Sequence, residues 1–272
     1  MYTLSCFADE ISPHLKEQLD VMERLKVRFL SLRSVEDVNV LALTDAQLRE
    51  IARALRDRGM GVSSVGSPVG KTPIKDDVSV CLDQTRRAVE IARALDCPRV
   101  RVFSFYMEKD ELDARRGEVM DRLSRMAEIA AEAGVTLMHE NEAGIYGERS
   151  ARCEDILKSV NHPALRAVFD PSNFVAAGEA PFDESLPRLR DYVAYMHIKD
   201  SRRSDGVIVP AGEGDGQLSQ VLSAFAEKDM FLTLEPHLAV AGRMRGFTGA
   251  ELFGRAHAAL TGLLDRAGIA YN

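Results

Sequence analysis

The pattern that decides the fold lies in the stretch Val89-Glu-Ile-Ala-Arg-Ala-Leu-Asp-Cys-Pro-Arg-Val-Arg-Val-Phe103. Its first half has apolar residues at helical spacing, and the turn Asp96-Cys97-Pro98 ends that periodicity. The alternating residues that follow, Arg99–Phe103, are typical of a β-strand. The stretch therefore predicts a helix that passes directly into a strand, as in proteins built from repeated strand–helix units.

The same alternation of short apolar runs and longer helical stretches continues along the chain. Helix starts are indicated by Ser12 followed by Pro13, by the capping box Thr44-Asp-Ala-Gln47, and by Thr248 followed by Glu251. Eight runs, mostly about thirty residues apart, are predicted to be strands. They are Tyr2–Phe7, Arg28–Leu32, Gly61–Ser64, Arg99–Phe103, Thr136–Glu140, Ala167–Asp170, Ala194–Lys199 and Phe231–Glu235.

A single (β/α)8 barrel, or TIM barrel, is the predicted fold, in the α/β class. Eight strand–helix units in 272 residues fit this fold, because such barrels have about 250 residues. No linker rich in Pro, Gly and Ser divides the chain, so residues 1–272 are expected to form one domain. The alternative, a doubly wound open sheet, usually has a glycine-rich turn after its first strand, whereas Cys6–Ser12 contains no glycine.

Composition and charge argue against several classes of protein. The chain is 46% hydrophobic and 28% charged, as expected of a globular domain. Its net charge of −7 disfavours nucleic acid as a partner. The four cysteines include no Cys-x-x-Cys pair and predict neither a disulfide framework nor a thiolate zinc site. Without a bilayer-length apolar run or a signal-peptide pattern, we expect a cytoplasmic protein that does not bind membranes.

Polar side chains end the last four predicted strands, where TIM barrels carry their reacting groups. They are Glu140, Asp170, His197 and Glu235. In a strand, residues two apart lie on the same face, so these four share strand faces with Met138, Val168, Tyr195 and Thr233, respectively. The four polar groups are therefore expected to converge over the barrel mouth. A lone acidic residue at a strand end is most often a helix cap or a solvated charge. Four in succession favour a site for a Mn²⁺-like divalent ion with two positions open to substrate.

These strand ends, with His-Ile-Lys-Asp at 197–200, resemble the xylose isomerase-like TIM-barrel superfamily and its sugar phosphate isomerase/epimerase group. The stretches Cys6–Ser12, Gly66–Lys71, Phe103–Tyr106 and Glu235–Leu238 resemble one sequence cluster within that group. The resemblance covers essentially the whole chain. It implies that Glu140, Asp170, His197 and Glu235 hold one divalent metal ion, Mn²⁺ in first place, with Co²⁺, Mg²⁺ or Zn²⁺ as alternatives. It also implies that Glu140 and Glu235 are the catalytic acid/base pair.

The chemistry of such a site is proton transfer beside a carbonyl group. A metal that chelates the carbonyl and a neighbouring hydroxyl oxygen stabilises the enediolate formed when one Glu removes a proton. If the other Glu returns the proton to the opposite face, the product is an epimer. Return to the adjacent carbon gives an aldose–ketose isomer. We therefore expect a metal-dependent sugar isomerase or epimerase with a keto sugar or sugar derivative as its small-molecule substrate.

Three other functions are weighed against this one. A lyase or dehydratase acting on a keto-glycoside or inosose would use the same proton abstraction and then expel a β-hydroxyl or glycosidic oxygen. A catalytically dead, sugar-binding barrel is disfavoured because both acid/base Glu and both other ligands are present. Endonuclease IV-type cleavage needs a histidine-rich three-zinc cluster, and the chain has only six His. The oligomeric state stays open, with a homo-oligomer among the alternatives.

Five further residues are candidates for substrate binding: Lys71, Asn173, Lys199, Arg203 and His237. For each, a surface or loop role is the competing interpretation. By the resemblance, Arg203 stands where ketose 3-epimerases carry a sugar-binding arginine, whereas Asn173 replaces their substrate-contacting histidine, which weakens the case for a free-ketose 3-epimerase. His139 is expected to face away from Glu140 and to pack or form a hydrogen bond outside the barrel.

Two residues and two loops lie outside this set. Ser31 and Arg33 end the second strand and are not counted as substrate contacts, because relatives have an acidic residue near Ser31. The glycine-rich loop Val209–Gly216 is either a lid or a flexible connection with Asp215 or Gln217 near a helix cap. The loop Ala241–Gly249 is a second mobile candidate, whose arginines would meet an anionic substrate or a neighbouring subunit.

Overall fold

A computed structural model describes residues 1–238 and 248–272 of the chain. The segment Ala241–Gly249, predicted to be a mobile loop with two arginines, lies almost entirely outside the described residues. In the described part, eight parallel strands close into a barrel, and neighbours in the chain are neighbours in the barrel. They are β1 Tyr2–Cys6, β2 Phe29–Leu32, β3 Gly61–Val65, β4 Arg99–Val102, β5 Thr136–Glu140, β6 Leu165–Phe169, β7 Val193–Ile198 and β8 Met230–Leu234.

Helices connect the strands and pack around the barrel. They are α1 Leu15–Arg24, α2 Asp45–Asp57, α3 Val78–Ala94, α4 Leu112–Glu132, α5 Ser150–Val160, α6 Pro171–Ala176, α7 Leu186–Leu189, α8 Leu218–Ala224 and α9 Gly249–Arg266. Two short antiparallel pairs lie outside the barrel, Ser34–Val35 with Val38–Asn39 and Asp200–Ser201 with Ile208–Val209. None of the described helices combines the length and hydropathy needed to cross a bilayer.

The predicted TIM barrel is confirmed, and each predicted strand overlaps an observed one. The start of α2 is also confirmed, because Thr44 and Gln47 form both hydrogen bonds of the capping box. The predicted start of α1 at Ser12 and Pro13 is wrong by a few residues, because this helix begins at Leu15 with His14 as its N-cap. The Ser12 hydroxyl instead accepts from the His14 backbone N–H and donates to Glu17.

The barrel interior is built differently from the core between barrel and helices. Met138, Val168 and Tyr195 form a small apolar cluster of their own, separate from the main core. Because they come from three adjacent strands, the face that they share is the barrel interior. The Tyr195 hydroxyl lies 2.9 Å from Ser63 Oγ and also hydrogen-bonds Thr233. The alternation predicted for the last four strands therefore places the polar strand ends directly above this filled interior.

The glycine-rich loop after β7 is fastened to one buried carboxylate. Asp200, 1% exposed, accepts hydrogen bonds from the backbone N–H groups of Ser201, Gly212, Gly214 and Gly216. A Cβ at Gly214 or Gly216 would collide with this carboxylate, which explains two of the glycines. Gln217, at the end of the loop, is the N-cap residue of α8.

Replacing Asp200 by Ala is expected to lower the free energy of unfolding by about 3 kcal/mol or more, because buried N–H groups lose a charged acceptor. Urea denaturation followed by circular dichroism measures the effect. The matched control is Asp205→Ala, since Asp205 is exposed and bonds only its own turn; we expect a loss below about 1 kcal/mol there. Equal losses in the two variants would show that the carboxylate of Asp200 does not organise the loop.

Candidate metal centre and active site

Four acidic and imidazole side chains meet at the carboxyl end of the barrel. Glu140 is the last residue of β5, Asp170 directly follows β6, His197 lies in β7, and Glu235 directly follows β8. Each offers one ligand atom within 4.8 Å of those of the others. All four are at most 4% exposed. The structure thus brings together the four residues proposed from the sequence, and we call them the four-residue cluster.

Contacts within the four-residue cluster leave several carboxylate oxygens unsatisfied. His197 Nδ1 lies 2.8 Å from Glu140 Oε1 and 3.2 Å from Glu235 Oε2. Glu140 Oε2, Asp170 Oδ2 and Glu235 Oε2 are buried and form no hydrogen bond within the described part of the chain. Each of them has an ion-pair contact instead, with Arg101 Nη1 at 3.2 Å, Lys199 Nζ at 3.0 Å and His197 Nδ1 at 3.2 Å, respectively. An oxygen-rich donor set with one imidazole fits a divalent metal ion.

Charge coupling inside the cluster is reflected in the pKa values of its members. Burial opposes ionisation of Glu140, but the charges of His197 and Arg101 outweigh it and lower its pKa to about 2. Burial also disfavours a charged His197, yet both glutamates stabilise the imidazolium and raise its pKa to about 9. Burial raises the pKa of Asp170 to about 6, against the attraction of Lys199. The cluster therefore holds closely spaced groups whose ionisations depend on one another.

Asp170 is a helix cap and also a member of the four-residue cluster. Its Oδ1 accepts from the Asn173 backbone N–H at 2.9 Å and caps α6, which begins with Pro171. Asn141 holds the Asp170 backbone through a pair of 3.0 Å hydrogen bonds. The cap fixes the carboxylate, and only Oδ2 remains for a metal. Lys199 Nζ lies 3.0 Å from that oxygen.

Two arginines, which sequence reasoning missed, each contact one of the glutamates. Arg101 Nη1 lies 3.2 Å from Glu140 Oε2, and Arg33 Nη1 lies 3.0 Å from Glu235 Oε1. From the sequence, Arg33 is not predicted to contact substrate, and Arg101 is predicted only as part of a strand. The alternation of Arg99–Val102 contained a signal, because Val100 and Val102 belong to the main core and leave Arg101 on the opposite, inner face.

A second acidic group borders the four-residue cluster at Glu235. The ligand atoms of Glu10, Glu235 and His237 also lie within 4.8 Å of one another. His237 Nδ1 is 3.1 Å from Glu10 Oε1, and its Nε2 is 3.4 Å from Glu235 Oε1. Arg33 Nη2 lies 3.7 Å from Glu10 Oε1 and already supplies positive charge there. The four-residue cluster, with four buried members, is therefore the stronger candidate for a metal, since His237 in the second group is exposed.

The five predicted substrate-binding residues differ in their distance from the cluster. Lys199 and His237 contact it directly, through Asp170 and Glu235. Lys71 Nζ pairs with Glu142 at 2.8 Å, and the Asn173 side chain donates to the Asn141 carbonyl. The structure does not bring Arg203 to the cluster: its exposed side chain donates to the Glu179 carbonyl.

The hydrogen-bond partners of His139 and Thr248 are not members of the four-residue cluster. His139 Nε2 lies 3.0 Å from Ser104 Oγ, as expected of a side chain that faces away from Glu140. Burial lowers the pKa of His139 to about 4, so its imidazole is neutral. Thr248 precedes α9 as predicted, but its hydroxyl donates to Glu10 rather than capping the helix.

Comparison with known proteins agrees with the fold. Residues 19–257 match the family described as xylose isomerase-like TIM barrel, and the chain belongs to this family. No curated protein matches the chain.

Solved structures share the fold at low sequence identity. The probable 3-DHS dehydratase AsbF from Bacillus anthracis is 16% identical with a TM-score of 0.76, covering 96% of this chain and 98% of that one. An IolI protein with a bound zinc atom is 17% identical with a TM-score of 0.77, at coverages of 97% and 99%. D-psicose 3-epimerase from Clostridium cellulolyticum H10, solved with D-tagatose, is 13% identical with a TM-score of 0.74, at coverages of 96% and 98%.

Proposed function

We propose that this chain is a divalent-metal-dependent isomerase or epimerase of a keto sugar or sugar derivative. The observation that carries the proposal is the burial of Glu140, Asp170, His197 and Glu235 with one ligand atom of each within 4.8 Å of those of the others. The family assignment supports it, as does the epimerase among the similar solved structures.

The four-residue cluster would hold one metal ion, with Mn²⁺ as the first choice because three of its four ligands are carboxylates. The IolI protein with its zinc atom keeps Zn²⁺ among the alternatives, with Co²⁺ and Mg²⁺. When bound, the ion would stabilise the negative charge that develops on a carbonyl oxygen after the neighbouring carbon loses a proton.

Glu140 and Glu235 are the groups that would move the proton. They approach His197 from β5 and β8, respectively, so two carboxylates can face one substrate carbon from different directions. One carboxylate oxygen accepts the proton. The other glutamate, whose pKa is also lowered, takes up a proton from solvent and returns it to the substrate. Arg101 and Arg33 each hold one of the glutamates and orient it. The face or carbon that receives the proton decides between epimerisation and isomerisation.

A lyase or dehydratase is the second candidate, favoured by one observation at His237. Burial disfavours a charged His237, but its bonds to Glu10 and Glu235 raise its pKa to about 9, so the imidazole carries a proton. A protonated imidazole beside the base Glu235 can donate to a departing hydroxyl or glycosidic oxygen. The similarity to the probable dehydratase AsbF supports this candidate. Both functions need the same metal and the same glutamates.

Metal analysis tests the proposed site. Protein incubated with Mn²⁺ and freed of excess should contain one ion per chain, and removing it with a chelator should lower the melting temperature, because the carboxylates lose their compensating charge. Adding Mn²⁺ back should restore the melting temperature. Elemental analysis measures the metal content, and thermal denaturation measures the melting temperature. Protein that retains no metal after this treatment would favour the catalytically dead, sugar-binding barrel.

A further inference from the structure

The short turn after β1 brings a buried acidic side chain to the edge of the four-residue cluster. Ala8–Glu10 form one turn of 3₁₀ helix, and Glu10 is 3% exposed. This turn belongs to the stretch Cys6–Ser12, which stands out in the sequence and has no task in the proposed function. Its partner across the barrel mouth is His237, which follows β8.

Glu10 contacts both the backbone and the ring of His237. Its Oε2 accepts a hydrogen bond from the His237 backbone N–H at 2.8 Å, and its Oε1 lies 3.1 Å from the ring Nδ1. The same Oε2 accepts the Thr248 hydroxyl at 2.6 Å, which fixes the carboxylate itself. Because one carboxylate contacts His237 at two points, the ring has little freedom to turn.

The backbone conformation of His237 needs such support. Its φ of +44° lies in the left-handed region, which residues other than Gly adopt rarely. Its side chain is 41% exposed, so packing holds the ring only in part. The hydrogen bond from its backbone N–H to Glu10 stabilises this conformation. In this conformation the ring lies against Glu235, two residues earlier in the chain.

The two carboxylate oxygens of Glu235 have different partners. Oε1 lies 3.0 Å from Arg33 Nη1 and 3.4 Å from His237 Nε2. Oε2 lies 3.2 Å from His197 Nδ1, inside the four-residue cluster. The contacts to Oε1 hold the carboxylate by one oxygen and keep the other directed into the cluster, where the proton transfer is proposed.

We infer that Glu10 is a positioning residue for this proton transfer. It fixes His237 against Oε1 of Glu235, and His237 in turn keeps Oε2 directed into the cluster. The inference rests on the proposed function, since Glu235 is the base that is oriented, and it gives the stretch Cys6–Ser12 a task in that function. Orientation matters because misplacing a reacting group by about 1 Å can cost about 100-fold in rate.

Relaxation of the histidine ¹³Cε1–H groups in the metal-free full chain tests the positioning without substrate. The His237 signal is identified by its absence from His237→Asn. We expect an ordered ring in the wild type and an order parameter below about 0.6 in Glu10→Ala, because both contacts are lost. Glu36→Ala is the matched control, because Glu36 also contacts a histidine, His14, and a backbone N–H, but at an exposed site. A His237 ring that stays ordered in Glu10→Ala would overturn the inference.

Turnover of the Mn²⁺-loaded chain tests whether the position of the ring matters for the reaction. For each keto sugar that the wild type converts, Glu10→Ala should lower kcat about tenfold or more and change KM less than about threefold, because Glu10 orients the base. His237→Asn should lower kcat by a similar factor. Asparagine tolerates the left-handed conformation and His237 is partly exposed, so this variant tests the inference even if Glu10→Ala does not fold. Glu36→Ala should leave kcat unchanged.

The double variant, Glu10→Ala with His237→Asn, tests whether Glu10 acts through His237. Its kcat should lie within about twofold of that of His237→Asn, whereas independent roles would multiply the two losses. Multiplied losses, a raised KM alone, or a wild-type kcat in either single variant would overturn the inference. A merely structural Glu10 would lower the melting temperature without changing kcat per folded, Mn²⁺-loaded chain. The proposed function fails separately, by absence of bound metal in the wild type, and the relaxation experiment does not depend on it.

Discussion

Glu235→Gln is expected to reduce turnover of an active keto sugar by about 10³-fold or more while the chain stays folded. The amide has nearly the same shape as the carboxylate but cannot accept a proton, and proton transfer by one positioned group contributes about 10²–10⁴-fold. The same change removes one charge from the proposed metal site, which adds to the loss. Initial rates measured at saturating Mn²⁺ give the effect, and circular dichroism gives the fold.

Glu154→Gln is the matched control for this variant. Glu154 lies on the outer helix α5 and pairs with Lys158 and Arg188, so turnover should change by less than about twofold. Glu140→Gln should resemble Glu235→Gln, because both glutamates are assigned to proton transfer. Full turnover in either active-site variant would remove that glutamate from the mechanism.

Asp170→Asn is expected to weaken Mn²⁺ binding by about 100-fold or more. The asparagine can still cap α6 through Oδ1, so helix α6 should remain, but the side chain no longer offers a charged oxygen beside Lys199. Titration with Mn²⁺, followed by calorimetry, measures the affinity. Asp229→Asn is the control, because the Asp229 side chain is 95% exposed and its ion pair in the described part of the chain is with the amino group of Met1. Unchanged affinity in Asp170→Asn would exclude Asp170 as a ligand.

The barrel could be predicted because its signals are local. Each strand is a short apolar run, and the capping box at Thr44 uses residues three apart. The four-residue cluster could be predicted from the polar residues at the strand ends, because the fold itself brings the carboxyl ends of parallel strands together. Asp170 shows that two local interpretations can both hold, because one carboxylate oxygen caps a helix and the other faces the cluster.

The contacts around the cluster could not be predicted, because they join residues far apart in the chain. Arg33 reaches Glu235 across a sequence separation of 202 residues, and Glu10 reaches Thr248 across 238. Nothing in the sequence beside Arg33 shows that its side chain turns towards β8 rather than solvent. Likewise, the Ser12 hydroxyl forms hydrogen bonds with Glu17 and with the His14 backbone N–H, and α1 starts after His14. The residues Ser12 and Pro13 alone do not determine which partners this hydroxyl finds.

Hydrogen exchange with solvent tests the central proposal most directly. Mn²⁺-loaded protein would be incubated in deuterated water with neutral ketoses, ketose phosphates, keto sugar acids and 3-keto-glycosides, and the products examined by NMR. A glutamate that removes a proton exchanges it with solvent before returning it, so we predict deuterium on the carbon beside the carbonyl of every substrate that is converted. Product structure then separates epimer, isomer and elimination product. Conversion without deuterium incorporation, with unchanged turnover in both Glu140→Gln and Glu235→Gln, would contradict proton transfer by the two glutamates.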